Sequence, residues 1–346
     1  MGKGMEVRVL RSEDNKEWDD YVLTTQQGSL FHTFAWKTVL EKTFGYDSIF
    51  FAAYDEGQIC GILPLFVVPK PLQGQVIVSV PFGVYGGVVA ERPEVTQVLL
   101  NAGKNLAIEK SADSLEFRQI EKIDEDLPTK ELYFTFVREI FDGEEKNMAA
   151  IPRKQRRMIR QGISHDLQST VGGTELLKDF YFVYSSSLRN LGTPAFPFRY
   201  FEHLFQELGE QCKILSVSYE GKVVAAVLTF FYQDRVMPYY GGGLPEYQKY
   251  AIYDFMYWEV MRFGWEHGYK VFDFGRSKQE TGPFHFKRHW GFEPQALPYQ
   301  YFLPKGGSIP NVNPSNPKFK PFITLWKRLP LRLANQLGPL LIKYLP

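Results

Sequence analysis

IFFAAYDEGQICGILPLFV, residues 49–67, and KILSVSYEGKVVAAVLTFF, residues 213–231, share one pattern. In each, a β-branched and aromatic run meets a Glu-Gly dipeptide, and a second apolar run follows. That is the signature of a β-hairpin closed by a tight turn. Glu56-Gly57 and Glu220-Gly221 stand 164 residues apart. At the same offset upstream, His32–Gly45 lies over Phe196–Gly209. Both segments carry apolar residues at i, i+3/i+4 spacing, which predicts amphipathic helices. Downstream, Tyr85-Gly86-Gly87 matches Tyr240-Gly241-Gly242 at an offset of 155. A helix is expected next in each half, over Pro93–Lys110 and Glu246–His267. A strand then ends in Glu116-Phe117-Arg118 or in Asp273-Phe274-Gly275-Arg276, the two acids 157 residues apart. Four features in one order imply two copies of one helix–hairpin–strand–helix–strand unit.

The length agrees. A chain of 346 residues exceeds the roughly 250–300 over which one core grows. Boundaries fall at a polar, acidic stretch (Phe141–Ala150) and at a Gly/Pro/Asn-rich one beginning near Pro304. The expected segments are therefore 1–147, 148–303 and 304–346. Hydrophobic residues make up 44% and charged residues 23%, a balance that excludes wholesale disorder, collagen and coiled coil. Forty basic against thirty-nine acidic side chains leave +1, so no overall field recruits nucleic acid. Cys60 and Cys212 each border an apolar run and read as buried thiols of a reducing compartment, although one disulfide is open to them. No zinc spacing is present. Met1–Leu10 lacks the apolar region of a signal peptide. The uncharged run Pro71–Ala90 is interrupted by Pro81 and four glycines, so it makes no spanning helix.

These repeats sit among strings that resemble the FemAB family of tandem acyltransferases, over roughly residues 10–340. The strings are FHTFAWKTVLEKTFGY (31–46), GILPLFVV (61–68), VSVPFGVYGG (78–87), RNLGTPAFPFRYF (189–201), MPYYGGG (237–243), FDFGRSKQETGPFHFKRHWG (272–291) and LWKRLPLRLANQLGP (325–339). The branch it is most similar to is the one associated with exosortase/PEP-CTERM exopolysaccharide clusters. The resemblance implies an α/β (mixed α+β) fold of two tandem GNAT-like domains with mostly antiparallel sheets. It implies a cytoplasmic enzyme that transfers an acyl or aminoacyl group to an amine of a cell-envelope or exopolysaccharide precursor. The donor would be aminoacyl-tRNA or another activated acyl compound, with no bound cofactor or metal.

The same resemblance assigns residues. Lys287 falls on the family's transition-state-stabilising lysine, a role with a physical basis because acyl transfer to an amine passes through an oxyanion that a cation stabilises. Tyr240 and Tyr200 fall on tyrosines of the acceptor site, and Trp36 on the tryptophan of the first helix. Asp273, Arg276, Ser277 and Lys278, at a strand end beside Gly275, suit an anionic or amine-bearing substrate. Lys287, Tyr240, Arg276 and Tyr200 are expected to line one cleft of the second domain near its junction with the first. Phe196 stands where muropeptide-binding relatives carry an arginine. Lys37 and Lys42 only flank the position of another of their cations, near Thr38–Leu40. Both departures point away from that acceptor.

Other features have plain readings too. Pro152–Arg160 carries five cations, which suit tRNA phosphates or simply one solvated helix face. His285 and His289 have the spacing of a metal pair, but no third ligand is in view. Residues 318–344 carry cations, regularly spaced leucines and no acid. Peripheral contact with the inner face of a membrane and docking on the core are both open to them, and Pro330 and Pro339 are expected to break any helix. An acetyl-CoA donor is the enzymatic alternative. It needs a Gly-rich amide cradle, to which only Arg189–Pro194 comes near. A non-catalytic binding protein of an exopolysaccharide assembly is the other.

Overall fold

A computed structural model describes residues 5–11, 14–71, 73–309 and 320–345. It divides into two compact units. Unit 1 is Met1–Tyr133 with Ala296–Asn311 and Lys343–Pro346; unit 2 is Phe134–Gln295 with Val312–Ile342. The first half of the chain runs β1 (Glu6–Val9), α1 (Asn15–Thr24), α2 (Phe34–Phe44), β2 (Asp47–Asp55), β3 (Gln58–Pro69), β4 (Gln75–Val78), β5 (Val89–Ala90), α3 (Pro93–Glu109) and β6 (Leu115–Phe117). Then follow β7 (Thr129–Glu139), α4 (Glu144–Ala149), α5 (Arg153–Ser164), β8 (Gln168–Gly172), α6 (Leu177–Leu191), α7 (Phe198–Leu208), β9 (Cys212–Tyr219), β10 (Lys222–Tyr232) and β11 (Arg235–Gly243). The chain continues with α8 (Ile252–Glu266), β12 (Val271–Asp273), β13 (Ser277–Lys278), α9 (Gly282–His289), β14 (Pro294–Phe302), α10 (Lys320–Arg328) and α11 (Leu331–Ile342).

The repeat read from sequence is a repeat of topology. Strands of unit 1 lie in the order β1-β2-β3-β4-β6-β14, and those of unit 2 in the order β8-β9-β10-β11-β12-β7. Neighbours are antiparallel except β4/β6 and β11/β12, the fourth and fifth places of each sheet, which are parallel. The two hairpins occupy the second and third places. Glu56 and Gly57 turn at φ 50° and 86°, Glu220 and Gly221 at φ 49° and 76°. Two consecutive left-handed residues make the turn whose twist matches the flanking strands. Even the irregularity repeats: the register skips one residue at Cys60 in β3 and at Val224 in β10, again 164 apart. Both cysteines are buried free thiols.

The structure departs from the sequence reading in four places. The compact units part at Tyr133/Phe134, not at 147/148, because β7 pairs with β12 (Val137↔Asp273). Correspondingly, β14 leaves the 148–303 segment and pairs with β6 (Tyr301↔Glu116). The sheet of unit 1 thus takes its sixth strand from beyond unit 2 in the sequence, whereas β7 directly precedes the other strands of unit 2. The helix expected from Glu246 starts at Ile252: Pro245–Tyr250 forms a 3₁₀ helix, and Ala251 at φ 58° separates the two. Pro330 does divide α10 from α11, but Pro339 lies inside α11, at the cost of one helical hydrogen bond. Lys318 and the rest of 310–319 fall outside the described residues. No described helix is long and apolar enough to cross a membrane.

Unit 1 closes around β14. Tyr299 is fully buried; its hydroxyl donates to the Val84 carbonyl at 2.7 Å, and its ring lies 5.9 Å from the Arg118 guanidinium. Buried Gln300 accepts from the Ile123 amide at 2.7 Å and donates to the Asp124 carbonyl at 2.5 Å. Tyr299→Ala is therefore expected to cost about 3–5 kcal/mol and Tyr299→Phe about 1 kcal/mol. The midpoint of urea unfolding measures both, and wild-type midpoints would show that β14 carries no such weight.

Candidate active site

The parallel strands of unit 2 part early. β11 and β12 pair at Arg235↔Val271 and Val236↔Phe272 only, while β11 runs on beside β10 to Gly243. Past that point Phe274–Lys278 leads the chain away from β11. Lys287, one turn from the end of α9, reaches this strand end. Its Nζ donates to three successive carbonyls, Phe274 at 2.7 Å, Gly275 at 3.0 Å and Arg276 at 3.2 Å. It also lies over the rings of Phe136 and Phe274. An ammonium has three N–H groups, and here each has an acceptor. Burial pushes Lys287 down to about 7, with nearby Asp273 acting in the opposite direction.

Asp273 is fully buried. Its carboxylate accepts from Arg235 Nη1 at 2.9 Å and from the Gly275 amide at 2.7 Å, so the strand end is gripped from both sides. Arg235, at the start of β11, is a partner of Asp273 that no motif in the sequence marks. Arg276 and Lys278 are half-buried. The Ser277 hydroxyl is buried and has no hydrogen-bond partner among the described residues. A buried hydroxyl without a partner is costly, and this one lies next to the carbonyl that takes the longest Lys287 bond.

Tyr240 and Tyr200 form a second pair, their hydroxyls 2.9 Å apart. Burial raises both well above the ordinary tyrosine value, so both stay neutral phenols. Phe196 stacks on Tyr200 at 4.6 Å, and Tyr184 and Phe201 meet Tyr240 edge-on. Phe196 thus completes an aromatic stack where the family resemblance leads one to expect an arginine. β11 has a bulge at Tyr239, between Leu228↔Tyr240 and Thr229↔Pro238. The bulge turns Tyr240 to the face opposite Val236. Val236 belongs to the core that holds Phe272, Phe274 and Phe136, on the side from which Lys287 approaches. The structure therefore pairs the four expected cleft residues two and two, Lys287 with Arg276 and Tyr200 with Tyr240.

The remaining expectations fall elsewhere. Trp36 is fully buried in unit 1, edge-on to Phe31 at 4.9 Å. In α5, Arg153, Lys154, Arg157 and Arg160 are exposed; Gln155, on its buried face, donates to Asp254 together with the Trp290 indole, a network that no motif announced. His285 lies 3.3 Å from Glu280. The described residues contain no group of three or more His, Cys, Asp or Glu placed to hold a metal. Arg189–Pro194 is the C-terminal cap of α6: the amides of Gly192 and Thr193 donate to the carbonyls of Arg189 and Leu188. In the loop before α8, the amides of Tyr247 and Ala251 donate to Leu244 and Gln248.

Unit 1 has the same parting, since β4 and β6 pair only at Ile77↔Leu115 and Val78↔Glu116. There a cavity of about 440 Å³ is lined by His32, Tyr85, Gly87, Arg118 and Gln119, among others. Its buried cation is committed to the fold: Arg118 donates to Glu116 and to the carbonyls of Val80 and Gly83. Burial pushes His32 down to about 4, so it is neutral.

Residues 146–288 match the family model described as Acetyltransferase (GNAT) domain. No curated protein matches the chain. Among solved structures, FemX is similar with a TM-score of 0.66 at 14% identity, over 86% of this chain and 97% of that one. The C-terminal domain (DUF2156) of what its description calls a lysylphosphatidylglycerol synthetase, from Agrobacterium fabrum, gives 0.58 at 14%, over 85% and 92%. A tandem GNAT protein from the clavulanic acid biosynthesis pathway gives 0.54 at 10%, over 88% and 100%. With its duplicated sheets and these likenesses, the chain has the tandem GNAT-like fold, and its match to the GNAT family model lies in residues 146–288.

Proposed function

We propose that the protein is an N-acyltransferase of the aminoacyl type, acting on an amine of a cell-envelope or exopolysaccharide precursor. One observation carries this reading: a buried ammonium, Lys287, stands where β12 leaves β11, beside the unpartnered Ser277 hydroxyl. The amine attacks the activated carbonyl, and its C–N bond forms as the carbonyl oxygen takes up negative charge. Lys287 exchanges its longest bond, to the Arg276 carbonyl, for that oxyanion. Collapse breaks the bond to the donor's leaving oxygen or sulfur, and the amine proton leaves with it or passes to water. Arg276 and Lys278 hold the anionic part of the donor. We assign the Tyr200–Tyr240 pair, on the other face of β11, to the acceptor, with Phe196 in place of a pyrophosphate-binding cation.

The donor we assign is aminoacyl-tRNA or another activated acyl compound, with the exposed cations of α5 meeting tRNA phosphates. In Arg189–Pro194, the segment nearest to a coenzyme A amide cradle, the amides of Gly192 and Thr193 are tied to carbonyls of α6. Titration calorimetry with coenzyme A should show no micromolar affinity; a micromolar dissociation constant overturns the donor assignment. The two similar structures named FemX and lysylphosphatidylglycerol synthetase make aminoacyl donors with envelope precursors and envelope lipids the first mixtures to assay.

Two outcomes are expected at Lys287. With a competent donor and acceptor, Lys287→Ala should lower turnover by about 10²–10³ while acceptor binding changes by only a few fold. Wild-type turnover in that variant would refute the role. Stability provides the second readout. Between about pH 7 and the ordinary lysine value of 10.5, the unfolded chain binds a proton that the native one releases, so native stability rises with pH across that window. The rise from pH 7.5 to 9.5 attributable to this group is on the order of 2 kcal/mol. Lys287→Met should remove it, and identical pH dependence of urea unfolding in the two proteins would contradict the burial of the Lys287 amine.

A further inference from the structure

The two C-terminal helices are apolar on the wrong side for helices that merely dock. In α11, Ala334, Gly338 and Ile342 form the buried stripe. That stripe lies close against the end of the α6 region: a Cβ at Gly338 would meet the Ala195 carbonyl at 2.9 Å, and Asn335 Nδ2 reaches Ser185 Oγ at 3.3 Å. A docked helix ordinarily turns polar residues outward. Here the outward face carries Leu333, Leu337 and Leu340, at i, i+4 and i+7, exposed by 44%, 39% and 58%. α10 repeats the pattern: Trp326 is buried, whereas Phe322 and Leu325 are exposed by 40% and 63%. Next to α10 lies the end of α6, where Gly192 abuts Ile323 and Leu191 is exposed. These side chains are too many, and too regularly spaced, to be the scattered apolar residues of an ordinary surface.

The charges around them have one sign. Lys320, Lys327, Arg328 and Arg332 are exposed, and no Asp or Glu occurs from 320 to 345. A second copy of the chain meeting this face about a two-fold axis would set these cations against one another with no acid on the face to neutralise them. An anionic lipid surface satisfies both halves of the pattern. Leucine and phenylalanine enter the headgroup boundary while Lys and Arg remain among the phosphates.

We infer that the face formed by α10, α11 and the end of α6 binds the surface of an anionic bilayer, holding the protein at the membrane surface through these helices. This inference rests on those helices alone and is independent of the transfer reaction. Co-sedimentation of the full chain with vesicles tests it. The protein should sediment with mixed phosphatidylcholine–phosphatidylglycerol vesicles and stay in solution with phosphatidylcholine alone, and binding should weaken as salt is raised. Because the four leucines are exposed, the combined variant Leu325→Ser, Leu333→Ser, Leu337→Ser, Leu340→Ser should keep the wild-type melting temperature and circular dichroism while its bound fraction falls at least about tenfold. The combined variant Lys320→Gln, Lys327→Gln, Arg328→Gln, Arg332→Gln should lose the salt-sensitive part of binding. Failure of the wild type to sediment with the mixed vesicles overturns the inference, as does undiminished binding by the leucine variant. A concentration-dependent dimer in analytical ultracentrifugation that the leucine substitutions abolish would overturn it in favour of a second copy.

Discussion

An ammonium is tolerated inside a protein only when every N–H finds an acceptor, and the geometry around Lys287 follows from that requirement. Desolvating the charge costs several kcal/mol. Three successive carbonyls, those of Phe274, Gly275 and Arg276, offset the cost. Consecutive carbonyls converge on one atom only where a chain has left its ladder, and β12 has done so after Phe272↔Val236. The parting of the strands and the burial of the lysine are therefore one arrangement. Asp273, held by Arg235 and the Gly275 amide, fixes the same turn from its other side. A strand end so tied has little freedom to drift, as the role proposed for Lys287 requires.

The neighbouring aromatic stack is organised on different grounds. Tyr200 and Tyr240 are polar residues inside a ring cluster, and each satisfies the other's hydroxyl. Phe196 above Tyr200 removes the charge that an arginine would bring and leaves a wall suited to apolar or neutral groups.

Much of this was legible in the residues. A two-residue Glu-Gly turn admits one register, so the hairpins of 49–67 and 213–231, and hence the duplication, could be read without coordinates. Helices α2 and α7 were readable from their apolar spacing, and α5 from Pro152 at its start. Lys287, Tyr200, Tyr240 and the Asp273–Lys278 strand end could be singled out, but their pairing could not. The bulge at Tyr239 flips the face of Tyr240 through a backbone irregularity with no marker beyond a nearby proline. The partner of Asp273 lies 38 positions upstream on a strand whose alignment is set by its other neighbour. The places of β7 and β14 were hidden for a related reason. Their pairing is decided by which sheet has a fifth strand still open, a property of the assembled fold and not of any local stretch.

That placement of β14 has a bearing on how the chain is made. β6 ends at Phe117 and its neighbour β14 begins at Pro294, so during synthesis the N-terminal sheet waits for its last strand until nearly the whole polypeptide has left the ribosome. Through that interval the edge of β6 is an unfilled template for pairing with any strand nearby, including one from another nascent chain. The usual order, in which an N-terminal domain completes itself first, is closed to this topology. The same threading constrains evolution: the N-terminal half cannot be separated or shuffled on its own, because its sheet is completed by β14 from beyond the second unit.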